Sequence, residues 1–194
     1  MIIKDKDKLT TPCEIVSIEE GEEIGVRLLH ELRESKNGIG LAANQIGINK
    51  RVCVINVKEP LVLVNPNIID VSEEKFPFAE GCLSFPNDKI KTLRHNWIKV
   101  HADNHDSTLM FSAESKDIND AFVCACVQHE IDHLDGITMF DREVKKPEPI
   151  VRGINTPKKI GRNEKVTITK GSESKVLKYK KVKPLLEDGW TLSI

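Results

Sequence analysis

At 194 residues and 39% apolar composition, the chain can bury one substantial core and has little room for a second full domain, so one domain with appendages is expected. No apolar stretch approaches the roughly 20 residues of a membrane span, and the opening MIIKDKDK mixes charge signs where a secretion signal is purely basic, so a soluble cytoplasmic protein with no membrane partner is expected. The net charge of −1 conceals a split, because residues 1–144 carry 16 Lys/Arg against 25 Asp/Glu whereas residues 145–183 carry 13 against 3.

In chain order, Ser17 and Glu20 form a capping box, and Ile24, Leu28 and Leu32 recur every four residues with Leu29 alongside, which predicts an amphipathic helix ending before Asn37-Gly38. RVCVINV (51–57), LVLVNP (61–66), IID (68–70), LRHNWIKV (93–100) and STLMFSA (107–113) read as strands of a mostly antiparallel, meandering sheet. His101 and His105 flank ADN in what reads as a hairpin turn, a place for exposed polar residues rather than a second metal site. Asp117 opens a second helix, DINDAFVCACVQHEIDHLDG, stopped by Gly136 and apolar on several sides, hence buried and central with strands around it. Beyond Arg142 two prolines in KKPEP predict a linker, and KVTIT and KVLKYKKV flanking KGSES predict a β-hairpin followed by a short terminal segment. This gives a division into residues 1–144 and a basic extension, residues 145–194. Five cysteines are odd in number and lie without a framework, as expected of free thiols in a reducing compartment.

Within the second helix, His129 and His133 stand at i and i+4, separated by about 6 Å of rise and about 40° of rotation, so both imidazoles can reach one ion. Glu130 projects from the adjacent sector, where it can meet an activated water. Such spacing also arises among satisfied core histidines, but two imidazoles and a carboxylate in a dry core need partners, and HExxH is a hydrolase signature. A catalytic site needs one more protein ligand, and the residues just after His133 include no histidine.

GIGLAANQIG (38–47), EGCLSFP (80–86) and QHEIDH (128–133), in that order, resemble the three signature motifs of the peptide deformylase family over roughly residues 9–142. The resemblance implies an α+β fold with antiparallel strands packed around the HExxH helix, and Cys82, in a glycine-containing loop, as third ligand beside His129 and His133. It implies one divalent ion, Fe²⁺ in the first place, with Zn²⁺, Ni²⁺ or Co²⁺ able to substitute. Such an ion acidifies its bound water and polarises the formyl oxygen of an N-formylmethionyl peptide. The resemblance further gives Glu130 as proton carrier, with the Gln45 amide and the Leu83 N–H as oxyanion donors. Gly40 and Gly81 would admit the peptide backbone, Ile39, Phe122 and Ala125 would line a pocket for the methionine side chain, and Arg94 would stand beside the bound peptide. Gln128 and Asp132 are left as supports of the ligands. A monomer is expected.

Two other readings stand beside this one: a generic HExxH metallopeptidase, and an RNA- or ribosome-binding protein on a decayed deformylase scaffold. The joint presence of Cys82, both histidines, Glu130 and Gln45 argues against decay, since a binding module has no chemical use for that set. The two prolines after Arg142 argue against the docking helix with which many bacterial relatives end, so ribosome association is expected only through the basic charge of the extension.

Overall fold

The structure, a computed structural model, describes residues 1–35, 38–115, 117–144, 165–171 and 173–193. It divides into two units, Met1–Val144 and Lys145–Ile194. The first mixes helices with antiparallel sheets.

Strand β2 (Val52–Asn56) explains how the first unit is layered. It pairs antiparallel with β1 (Gly40–Ala42) on one side and β3 (Pro60–Val64) on the other. Side chains alternate across a strand, and here both alternating sets are apolar. Val52 and Val54 pack with Ile24, Leu28 and Leu32 of helix α1 (Ile18–Glu34). Cys53 and Ile55 pack on the other face with Cys124, Val127, Ile131 and Leu134 of helix α2 (Ile118–Leu134). The sheet is therefore covered on both faces. Helix α1 starts where Ser17 Oγ accepts the Glu20 N–H at 3.3 Å, and its glycines let it lie close to β3: a Cβ at Gly21 would stand 2.5 Å from a Val64 methyl.

Helix α2 has a second neighbour. Strands β4 (Asn67–Val71), β7 (Trp97–His101) and β8 (Leu109–Ser112) form another antiparallel sheet, and Ile98, Val100, Leu109 and Phe111 join the same core. Enclosed in this way, α2 is buried from Cys124 through Leu134. Its start is capped by Asp117, whose carboxylate accepts the Asn119 N–H at 2.9 Å. Gly136 follows its end with φ 74°, a left-handed conformation that glycine adopts without strain.

The remaining pair, β5 (Lys75–Cys82) and β6 (Phe85–His95), forms a long hairpin. Here the structure corrects two sequence expectations. EGCLSFP is not a loop: β5 runs to Cys82, Leu83 and Ser84 make the turn, and β6 begins at Phe85. LRHNWIKV is not one strand: it divides at Asn96 into the end of β6 and the start of β7. The expected single meander is likewise three separate sheets within this unit.

In the second unit, β9 (Lys165–Lys170) pairs antiparallel with β10 (Glu173–Lys178) and β11 (Thr191–Ser193). A short helix, α3 (Lys183–Glu187), precedes β11. Ile168, Val182 and Trp190 form a small core with Val166, Leu177 and Leu185, and Lys175 Nζ stands 4.4 Å from the Trp190 ring centroid. The linker expected over KKPEP and its continuation lies outside the described residues.

Candidate metal centre

The sulfur of Cys82, at the last residue of β5, meets the imidazoles of His129 and His133 one helical turn apart on α2. One ligand atom from each lies within 4.8 Å of the others, and all three residues are buried. Cys82 Sγ is 3.2 Å from His133 Nε2, and the two rings stand edge to face with centroids 4.8 Å apart. Bonds of about 2.0–2.3 Å from all three atoms to one ion would need only small side-chain rotations.

The electrostatics suit a cation. Burial holds the His133 ring well below its usual pKa, leaving it the neutral imidazole that ligation requires. Burial pushes the same way at His129, but hydrogen bonds with Cys82 and Glu80 outweigh it and raise that ring to about 10 in the ion-free protein. The surroundings of His129 thus favour added positive charge. Glu130 is also buried, its Oε2 has no hydrogen-bond partner among the described residues, and desolvation pushes its carboxyl up to about 7. The donor set and this unpartnered carboxylate oxygen fit one divalent ion with a water beside it.

Glu80 orients the first histidine. It stands two residues before Cys82 and shares its face of the strand, and its Oε2 pairs with His129 Nδ1 at 2.8 Å, leaving Nε2 for an ion. Burial opposes the charge on Glu80, yet bonds from His129 and Arg94 prevail and hold its pKa at about 2. Thr92 Oγ1 also donates to Glu80. The sequence reading missed this residue, although the strand period from Cys82 points to it.

Arg94 takes a different place from the one the sequence suggested. It is 3% exposed, and its guanidinium donates to Glu80 and to Asp132, so it lies beneath the histidines rather than beside a bound peptide. The reason is register: β6 places Arg94 opposite Phe76, on the side of the hairpin that packs inward. Asp132 completes the group by accepting two bonds from Arg142, at 3.1 and 2.7 Å. Gln128 instead ties α2 to the end of β6, exchanging hydrogen bonds with the His95 backbone at 2.9 and 3.0 Å.

Gln45 lies in the 3-10 turn Ala43–Ile46 after β1. Its Oε1 accepts the Ala42 N–H at 2.9 Å, which fixes the amide so that Nε2 faces Cys82 Sγ at 3.3 Å and Ser84 Oγ at 3.0 Å. Its neighbour Asn44 donates to the His133 carbonyl at 2.6 Å, joining this turn to the last turn of α2. Leu83 follows Cys82 in the hairpin turn, with its side chain against the α1 cluster. Gly40 is crowded from the protein side: a Cβ there would come 2.6 Å from Cys126 Sγ and closer still to Glu130. Gly81 has open space where a Cβ would be.

Of the expected pocket residues, Ile39 and Phe122 are each 40% exposed, whereas Ala125 is 1% exposed. Phe122 packs edge to face on Phe78 with centroids 5.3 Å apart, and Phe78 similarly on Phe76 at 5.9 Å. Phe78 shares the strand face of Glu80 and Cys82, an aromatic neighbour of the site that the sequence reading did not name.

A cysteine sulfur, two imidazoles from HExxH and a buried carboxyl group define a site of the metallohydrolase class. The family model described as polypeptide deformylase matches residues 1–148. A peptide deformylase of Natranaerobius thermophilus is 40% identical over 124 residues, covering 62% of this chain and 75% of the relative. Among solved structures, a probable peptide deformylase from Synechococcus phage S-SSM7 aligns with TM-score 0.62 and 35% identity over 73% of this chain and 98% of its own. An actinonin-bound class I type b peptide deformylase from Acinetobacter baumannii aligns with TM-score 0.63 and 30% identity over 73% of this chain and 95% of its own. The chain belongs to the polypeptide deformylase family, metal-dependent hydrolases that remove the N-formyl group from nascent peptides.

Proposed function

We propose that this chain hydrolyses the formyl cap of N-formylmethionyl peptides with Cys82, His129 and His133 holding the ion, Glu130 moving protons, and Gln45 with the Leu83 N–H binding the oxyanion. The observation that carries the reading is the meeting of a strand-borne thiol and two helix-borne imidazoles beside a buried, unpartnered Glu130 oxygen. A bound divalent ion would supply an acidified water and polarise the formyl oxygen.

The chain's own groups account for the rest. Glu130, with a pKa of about 7 before an ion is bound, can take a proton near neutral pH and give it back. It accepts a proton from the attacking water and delivers it to the departing nitrogen as the C–N bond breaks, so that the products are formate and a peptide with a free amino terminus. The Gln45 amide, anchored through Oε1 to Ala42, can turn the Nε2–H that faces Cys82 toward an oxygen beside it while keeping its bond to Ser84. Ile39, Phe122 and Phe78 offer apolar surface for the methionine side chain, and buried Ala125 on α2 adds to the pocket. Gly81 leaves room for the peptide backbone.

The mixed thiolate and imidazole set suits Fe²⁺, which we assign as the native ion, with Zn²⁺, Ni²⁺ or Co²⁺ substituting. We assign the protein to the cytoplasm as a monomer with helix α2 as the central carrier of the site. The basic extension, residues 145–194, supports ribosome association by charge; deleting it should lower co-sedimentation with ribosomes at low salt, and unchanged binding would refute that role.

The decisive assay is anaerobic formate release from formyl-Met-Ala-Ser by Fe²⁺-loaded protein, with the acetylated peptide as control. Activity on the formylated peptide alone, lost in Glu130→Ala while the ion stays bound, is the expected result. Cleavage of unformylated peptides at internal bonds would overturn the reading.

A further inference from the structure

The ligands of the proposed metal site come from two separate elements, Cys82 from the β5–β6 hairpin and both histidines from α2. Something must set the distance between them before an ion arrives. Along this junction runs a row of alternating charges. His129 Nδ1 pairs with Glu80 on β5 at 2.8 Å. Arg94 on β6 holds both oxygens of Glu80 and reaches across to Asp132 on α2. Asp132 is then gripped at both oxygens by Arg142, Nε to Oδ2 at 3.1 Å and the terminal nitrogen to Oδ1 at 2.7 Å. The side chains of Glu80, Arg94 and Asp132 are at most 9% exposed, while that of Arg142 is 46% exposed. The row thus begins at a ligand and ends at the surface.

We propose that Arg142 is a positioning residue for the metal site, acting through Asp132 and Arg94 to hold the Cys82 hairpin in register with the histidine helix. The inference rests on the reading of Cys82, His129 and His133 as metal ligands. Its physical basis is competition for one guanidinium. Arg94 serves two carboxylates, and Asp132 can share it because Arg142 satisfies the remaining lone pairs. Without Arg142, Asp132 draws on Arg94 alone, and the two-sided hold on Glu80 shifts toward the helix. Glu80 moves with it, and His129 and the Cys82 end of β5 follow. A two-point fork fixes the carboxylate plane, which a single ammonium cannot do. Arg142 itself is well placed to act on the hairpin: it closes the 3-10 turn Met139–Arg142, and just beyond it the Val144 N–H donates to the Lys91 carbonyl of β6 at 2.8 Å.

The test uses the full chain loaded with Co²⁺, whose thiolate charge-transfer and ligand-field bands report the Cys82 bond and the coordination geometry directly. Partners behind a ligand typically tune metal affinity 10–100-fold, and Arg142 stands behind Glu80, Arg94 and Asp132 in the row, so Arg142→Gln should weaken Co²⁺ retention against a chelator by about 10-fold, the low end of that range. The charge-transfer band should shift, with far-UV circular dichroism unchanged. Arg142→Lys should behave like Arg142→Gln, because the fork and not the charge is the working part. In Asp132→Asn, further removal of Arg142 should add no loss. Lys99→Gln, which breaks an exposed pair with Asp70, serves as the control and should change nothing. Wild-type affinity and an unmoved band in Arg142→Gln would overturn the proposal, as would full restoration by lysine. A wild-type protein that takes up no Co²⁺ at all would instead overturn the metal reading itself, and the inference with it.

Discussion

Gly40→Ala tests how tightly the site is built around its proton carrier. The residue sits in β1 opposite Ile55, and the added methyl would lie 2.6 Å from Cys126 Sγ and 2.9 Å from the carboxyl carbon of Glu130. Ordinary contacts between such atoms fall near 3.5–4.0 Å, so Glu130 must withdraw by roughly 1 Å or β1 must bend away. Bending is resisted because Leu41 and Ala42 beside it are fully buried, and withdrawal because Glu130 is itself buried. Overpacking of this kind costs about 1–3 kcal/mol of stability. A misplacement of about 1 Å in a catalytic group costs on the order of 10²-fold in rate, equivalent to about 2.7 kcal/mol of barrier. The expected outcome is kcat for formate release reduced about 100-fold, with Co²⁺ affinity within about threefold of wild type, since the atoms nearest the methyl belong to Glu130 and Cys126 and not to the three ligands. Adding Cys126→Ala should recover only part of the loss, because Glu130 is the nearer obstacle. A folded Gly40→Ala protein with kcat close to wild type would refute the placement of Glu130 beneath β1.

Gln45→Ala should lower kcat by about 10²- to 10³-fold, the usual cost of one oxyanion donor, with the ion retained in a chelator competition. Glu80→Gln should reduce metal affinity by about 10–100-fold; it should also lower Tm, because the buried Arg94 loses one of its two carboxylates, which calorimetry of the ion-free protein will show. Removing the ion from wild-type protein should lower Tm as well, by an amount set by mass action: about 4 kcal/mol for an ion held at 1,000 times its Kd. A scan with and without chelator checks this, and His133→Ala should abolish the difference.

How much of this could be read beforehand depended on whether a residue's neighbours are local. Helix α1 was legible because its cap, its i, i+4 leucine spacing and its apolar face all lie within one continuous segment. Strands β2 and β3 were legible from β-branched runs. The β5–β6 hairpin was not, because its inward face reads Phe76, Phe78, Glu80, Cys82: a charge stands where an apolar residue would mark the period, and Pro77 and Gly81 on the other face mimic a loop. That single misreading hid Glu80, and it left Arg94 without the register that sends it inward. The place of Asp132 between the histidines marks it as a support, but its partners, Arg94 and Arg142, lie on other elements and no spacing announces them. Phe78 was missed for the same reason as Glu80. The crowding of Gly40 by Glu130 was also out of reach, since it exists only once β1 lies across α2.

The burial of α2 on every side from Cys124 to Leu134 bears on how activity is lost. A helix with a solvent face can form early and dock late, but this one has no solvent face from Cys124 to Leu134, and its apolar side chains stay uncovered until both flanking sheets have closed over it. Its histidines therefore reach their working positions only with the cooperative closure of the first unit, and no half-assembled species can carry a weakened site. Destabilising changes far from the ion, in α1 or β7 for example, should diminish the fraction of competent molecules while leaving each surviving molecule with its full turnover and its usual preference among peptides. Dose, rather than quality, is what such variants would alter.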